Sequence, residues 1–123
     1  MQELDLSHNS CLVPRTLENI FHQLPKLWKL NISHCSGVTT IEPLAAIKER
    51  LVHLSLAGVM ILSTSVTIGV LKKLTKLRYL DVSTVATNMD AAHEEVIGVA
   101  VFSALLQTLL FFTTHIVTLF IEY

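Results

Sequence analysis

Two of the six histidines, His8 and His34, occupy equivalent positions in two similar segments, LDLSHN (residues 4–9) and LNISHC (30–35). Imidazole is a common zinc ligand, and on neighbouring strands two such side chains would stand about 5 Å apart. A zinc site needs three or four ligands, and the pattern supplies two. We therefore expect a solvent-side turn position that carries His twice, and no metal site.

The chain has no H-E-x-x-H, G-x-S-x-G, phosphate-binding loop or C-x-x-C motif. A helical His93 would need a second ligand four residues on, where Ile97 stands. The sequence Asn31-Ile32-Ser33 matches a glycosylation acceptor, but we expect it within a strand of an intracellular protein. The sequence thus predicts a protein that is not an enzyme and has no cofactor.

Composition restricts the protein class. Of 123 residues, 51% are hydrophobic and 15% are charged, with a net charge of −1. Intrinsic disorder needs low hydrophobicity and high net charge, and nucleic-acid binding usually needs a basic field, so we expect neither. Two cysteines are too few for a secreted disulfide framework, and the polar N-terminus does not read as a signal peptide. We expect location in the cytoplasm or nucleus.

Four segments share one template, and their starts at residues 1, 27, 51 and 77 are offset by 26, 24 and 26 residues. We number the template positions as columns, and the first, fourth and sixth columns contain only Leu, Ile, Val or Met. Side chains at the fourth and sixth positions of a strand point the same way, so each segment has one apolar strand face. Stacking such strands side by side buries that face in a continuous core.

This template resembles the leucine-rich repeat, L-x-x-L-x-L-x-x-N/C-x-L, over residues 1–88. Asn9 and Cys35 fit the Asn/Cys column, whereas Val59, Val85 and Asn88 depart from the pattern. The resemblance implies an α/β solenoid of about four strand–loop–helix repeats with a parallel concave sheet. Apolar residues at helical spacing, near 17–24, 44–51 and 68–74, predict the helices, with Pro14 and Pro43 near the starts of two of them.

The segment 89–123 has three competing interpretations, because residues 96–121 contain no Lys, Arg, Asp or Glu. The first is a long apolar helix over 91–112 followed by an irregular fifth repeat strand, Ile116-x-x-Leu119-x-Ile121. The second is a transmembrane helix over 96–120, which about 20 apolar residues would allow. The third is a tail that packs only against further repeats of a longer protein.

Outward-facing strand positions form the candidate binding site. The third, fifth and seventh columns are mostly polar, and an extended sheet face is the usual binding surface of solenoid proteins. Tyr, Trp and Arg are typical anchors of protein interfaces. We predict that a protein partner contacts Glu3, Asp5, Trp28, Lys29, Asn31, His53, Ser55, Arg78, Tyr79 and Asp81.

The segments 27–35 and 77–83 are similar to repeats of the Zyg-type and F-box-type substrate receptors. That resemblance implies a substrate-recognition subunit, or a fragment of one, in a cullin-RING ubiquitin ligase. The cullin and adaptor would bind regions outside this sequence. The alternative function is a membrane-anchored leucine-rich repeat protein with a C-terminal transmembrane segment.

Overall fold

The computed structural model describes residues 3–61, 63–83, 86–87 and 118–120. This part of the chain is α/β, with short strands that alternate with helical segments. In chain order it contains β1 (Glu3–Asp5), α1 (Pro14–Gln23), β2 (Lys29–Asn31), a 3₁₀ helix (Glu42–Ile47), β3 (His53–Ser55), β4 (Met60–Ile61), α2 (Thr64–Lys73), β5 (Tyr79–Asp81), β6 (Ala86–Thr87) and β7 (Thr118–Phe120).

The main sheet is parallel, with the strand order β1-β2-β3-β5-β7. Its register follows the template, because Leu4, Leu30, Leu54 and Leu80 of the fourth column lie opposite one another. The prediction of an α/β fold with a parallel sheet is confirmed. A second, two-stranded parallel sheet pairs β4 with β6.

The apolar columns form the core. In the second, third and fourth repeats, the first, fourth and sixth columns are buried throughout, and Leu30, Leu54 and Leu80 are each 0% exposed. Cys35 is also buried, and its thiol donates a hydrogen bond to the carbonyl of Leu6 in the preceding repeat, at 3.0 Å. Val59 stands at the equivalent position of the third repeat, where the template has Asn or Cys, and it is equally buried. This departure from the template therefore preserves the core.

The turn after each of the first three repeat strands uses a left-handed residue. His8, His34 and Gly58 share the eighth column and have φ values of 60°, 57° and 72°. This region is costly for most side chains and open to glycine. Equivalent backbone geometry therefore recurs although the residue type changes.

The second connection differs from the predicted α-helix. α1 and α2 each have 10 residues, and the helical segment between them is a 3₁₀ helix of 6 residues. The repeat that contains it has 24 residues, two fewer than its neighbours. A 3₁₀ helix rises about 2.0 Å per residue against about 1.5 Å in an α-helix, so fewer residues span a similar distance.

β7 extends the sheet beyond the fourth repeat. Leu119 lies opposite Leu80, which is the pairing that a fifth repeat strand requires. The apolar helix predicted over 91–112 lies outside the described residues, as does most of the stretch 96–121. Among the described residues, the helices are too short or too polar to cross a membrane.

Two glycines give opposite predictions for stability. A Cβ at Gly37 would lie 2.4 Å from the carbonyl oxygen of Leu12, a backbone atom, whereas a Cβ at Gly69 in α2 meets nothing within 4 Å. We expect Gly37→Ala to lower the free energy of unfolding by about 1–3 kcal/mol. Gly69→Ala should raise it by about 0.5–1 kcal/mol, because alanine favours the helix. Urea unfolding of both variants checks this, and equal effects would contradict the packing described at Gly37.

Candidate protein-binding face

The outward side chains of the sheet line a groove of about 520 Å³ that crosses four strands. In-register pairing brings residues far apart in sequence, such as Glu3 and Tyr79, to one surface. We call this surface the sheet face. Eight predicted site residues line the groove: Glu3, Asp5, Lys29, Asn31, His53, Ser55, Tyr79 and Asp81.

Trp28 and Arg78 do not line the groove, although the sequence placed them beside it. Both precede a strand, and their backbones continue the ladder: Trp28 accepts a hydrogen bond from the amide of Val52, and Arg78 donates one to the carbonyl of Val52. Trp28 is half-buried and Arg78 is exposed. They lie at the edge where the strands begin.

The fifth column has a structural role. The side-chain oxygens of Asp5, Asn31 and Asp81 each accept a hydrogen bond at 2.9 Å from the backbone amide two residues on. Such Asx turns close the strand end and fix the side chain. The hydroxyl of Ser7 also donates to Asp5, and these two bonds, the hydroxyl first, hold the pKa of that carboxyl below its ordinary value. The side-chain oxygen of Asn31 therefore accepts its hydrogen bond within its own turn, from Ser33. These two residues belong to the Asn31-Ile32-Ser33 sequence that matches a glycosylation motif.

Ser55 breaks the Asx pattern. It is the only buried member of the ten predicted site residues, at 9% exposure. Its hydroxyl lies 2.6 Å from that of Ser33, which is 7% exposed, so each satisfies the other across neighbouring repeats. A buried hydroxyl without such a partner costs stability. Ser55 contributes to the floor of the groove through this bond.

An aromatic stack lies at the centre of the sheet face. The rings of His53 and Tyr79 are nearly parallel, with centroids 3.8 Å apart. Burial lowers the pKa of His53, and Lys29 lowers it further, against opposing contributions from Glu3 and Asp81. Burial, followed by the carboxylate of Asp81, raises the pKa of Tyr79. Nδ1 of His53 is buried and has no hydrogen-bond partner among the described residues.

Charge on the groove is mixed. Lys29 and Glu3 form an ion pair at 3.5 Å with both side chains substantially exposed, and such pairs contribute little to stability. Asp5 and Asp81 stand at opposite ends of the fifth column. The face therefore offers anionic, cationic and aromatic groups to a partner without exposing a large apolar patch.

The two histidines of the eighth column form a stacked pair, with ring centroids 4.7 Å apart. This agrees with the expected separation of equivalent side chains on neighbouring repeats. Within the described residues, no group of three or more His, Cys, Asp or Glu side chains is arranged to hold a metal ion. Comparison with models of known protein families, with curated proteins and with solved structures finds no match for this chain.

The lowered pKa of His53 predicts a pH-dependent stability. The unfolded chain takes up a proton near the ordinary value of 6.5, whereas the folded protein resists protonation, so stability falls as the pH drops below that value. His53→Gln removes this contribution. We expect a smaller fall in Tm between about pH 7.5 and pH 5.5 than in the wild type, measured by circular dichroism. His22→Gln, at an exposed site on α1, is the control, and equal falls in wild type and His53→Gln would contradict the account.

Proposed function

We propose that this chain is a leucine-rich repeat solenoid that binds another protein through the sheet face and carries out no catalysis. The continuous row of outward side chains across β1, β2, β3 and β5 supports this proposal most directly. Parallel strands lie about 4.8 Å apart, so these four strands present a strip about 14 Å wide. That width suits an extended segment or a loop of a folded partner.

The groups on the strip favour a polar partner surface with at least one aromatic or cationic anchor. The stacked His53 and Tyr79 rings present a flat, rigid area, and aromatic side chains are enriched among the residues that dominate interface energies. The Asx turns keep Asp5 and Asp81 in fixed positions, which lowers the entropy lost on binding.

The finer part of the proposal is that the bound protein is a substrate of a cullin-RING ubiquitin ligase. It is supported by the similarity of segments 27–35 and 77–83 to Zyg-type and F-box-type receptors. The chain would then supply part of the substrate-recognition subunit. Neither a cullin-binding nor an adaptor-binding motif is identifiable in the sequence.

The test is affinity capture from cell extract followed by quantitative mass spectrometry. Lys29→Ala with Tyr79→Ala removes a cation and an aromatic group from the groove, and we expect recovery of the partner to fall at least about ten-fold. Arg15→Ala with Val66→Ala, at exposed positions on α1 and α2, should leave recovery unchanged. Circular dichroism must show both double variants folded.

Equal partner recovery by the two double variants would contradict binding through the sheet face. Accumulation of the captured partner in cells when cullin-RING ligases are inhibited would support the ubiquitin-ligase assignment. A partner captured through the sheet face whose cellular level does not change under that inhibition would count against the assignment and leave protein binding supported.

A further inference from the structure

Basic residues are sorted to one edge of the main sheet. Because β2, β3 and β5 are parallel, the described segments that lead into them meet at a single edge. Eight of the nine Lys and Arg residues of the chain lie in these segments or at a strand's first residue, and we call them the basic edge: Lys26, Lys29, Lys48, Arg50, Lys72, Lys73, Lys76 and Arg78.

The repeat itself aligns part of the basic edge. Lys26, Arg50 and Lys76 each come directly before the first leucine of a repeat. Backbone hydrogen bonds join Val52 to Trp28 and Arg78 to Val52, so the residues just before each strand stand side by side. A basic side chain therefore recurs at each step of the stack.

The opposite edge, where the strands end, has the reverse character. Asp5 and Asp81 close their strands there, and Glu42 begins the 3₁₀ helix. Of the Lys and Arg residues, only Arg15, near the start of α1, lies on this side. Among the described residues, the acids at the basic edge are Glu49 and Glu3, and Glu3 is paired with Lys29. The described fold thus has a strong charge asymmetry that the net charge of −1 conceals.

Most of these cations are available to a ligand. Within the described residues, Lys29 makes the one salt bridge. Arg50 donates from its guanidinium to the carbonyl of Phe21, which ties it to α1. The remaining six side chains are exposed: Lys26, Lys48, Lys72, Lys73, Lys76 and Arg78.

We propose that the basic edge binds the surface of an anionic lipid bilayer. Six of its eight cations are lysines, which are hydrated point charges without the planar fork that suits bidentate recognition. The eight cations are dispersed along the edge and do not gather in one pocket. Arg50 lines the recess beside α1, Lys29 lines the sheet-face groove, and Lys73 lines the recess beside α2. A row of dispersed charges suits a surface of mobile anionic headgroups better than a peptide with carboxylates at fixed positions.

A further feature favours a bilayer. Trp28 lies in the same row and is half-buried, and tryptophan is enriched at membrane interfaces. The lipid-binding proposal does not rest on protein binding at the sheet face, although Lys29 belongs to both surfaces.

Vesicle flotation with the full chain tests the proposal. We expect binding to vesicles with about one-third phosphatidylserine at about 0.1 M salt, and little binding to phosphatidylcholine alone. Salt at about 0.5 M should release the protein because it screens exposed charges. Lys72→Gln, Lys73→Gln and Lys76→Gln combined should weaken binding to the anionic vesicles about a hundred-fold.

The control carries the same change of net charge at the opposite edge. Arg15→Glu with Ser10→Glu lowers the charge by three, as the triple lysine variant does, and both positions are exposed. We expect it to bind anionic vesicles within about three-fold of the wild type, because its new charges lie farther from the bilayer than a Debye length of about 10 Å.

Four results would overturn the proposal. The first is no binding to anionic vesicles, and the second is equal loss of binding in the control and the triple lysine variant. The third is salt-resistant binding to neutral vesicles that the lysine changes do not alter, which would assign binding to the uncharged stretch 96–121. The fourth is release of the protein from anionic vesicles by a single-stranded RNA, at an RNA concentration below the lipid concentration that gives half-maximal binding. That result would assign the basic edge to nucleic acid.

Discussion

The structure depends on burying one apolar face per repeat against the next repeat. A strand of three residues cannot stabilise itself, and its apolar side chains are removed from water only when a neighbouring strand aligns in register. Leu30, Leu54 and Leu80 lie opposite one another with 0% exposure, so the fourth column forms an unbroken row through the core. This constraint fixes the register of every other column.

The same register gives each remaining column one environment. The fifth column forms Asx turns wherever it carries Asp or Asn, and the eighth column takes a left-handed backbone in His8, His34 and Gly58. Polar third-column residues meet on the sheet face, and residues before the strands meet at the basic edge. The proposed protein-binding and lipid-binding surfaces are therefore adjoining products of one repeat, and Lys29 belongs to both.

The apolar columns and the parallel sheet could be predicted because burial of the fourth and sixth columns follows from strand geometry alone. The opposition of Leu119 to Leu80 agrees with one of the three interpretations of the segment 89–123, the irregular fifth strand, which departs from the repeat spacing. The apolar spacing near 44–51 fits an α-helix, so the 3₁₀ helix was missed, although the shorter second repeat of 24 residues was a signal for it in the sequence. The one sequence signal for positive φ at His8 and His34 was Gly58, a glycine at the same position of the third repeat.

The candidate site was predictable as a set of columns and less so as individual contacts. Eight of ten residues line the groove, because alternation along a strand decides which side chains share a face. Burial of Ser55 was not evident, since it depends on a hydroxyl partner in another repeat. Trp28 and Arg78 were assigned to the sheet face because of their residue types. Each comes just before a strand, and this position puts them at the edge of the sheet.

The most direct test of the central claim is to remove one leucine from the shared core. Leu54→Ala should lower the free energy of unfolding by about 2–5 kcal/mol and increase hydrogen exchange at the amides of Ile32 and Tyr79, which belong to the repeats on its two sides and donate to carbonyls of its own repeat. Val66→Ala, at an exposed position, is the control. A cost below about 1 kcal/mol, or faster exchange confined to the mutated repeat, would contradict a continuous core.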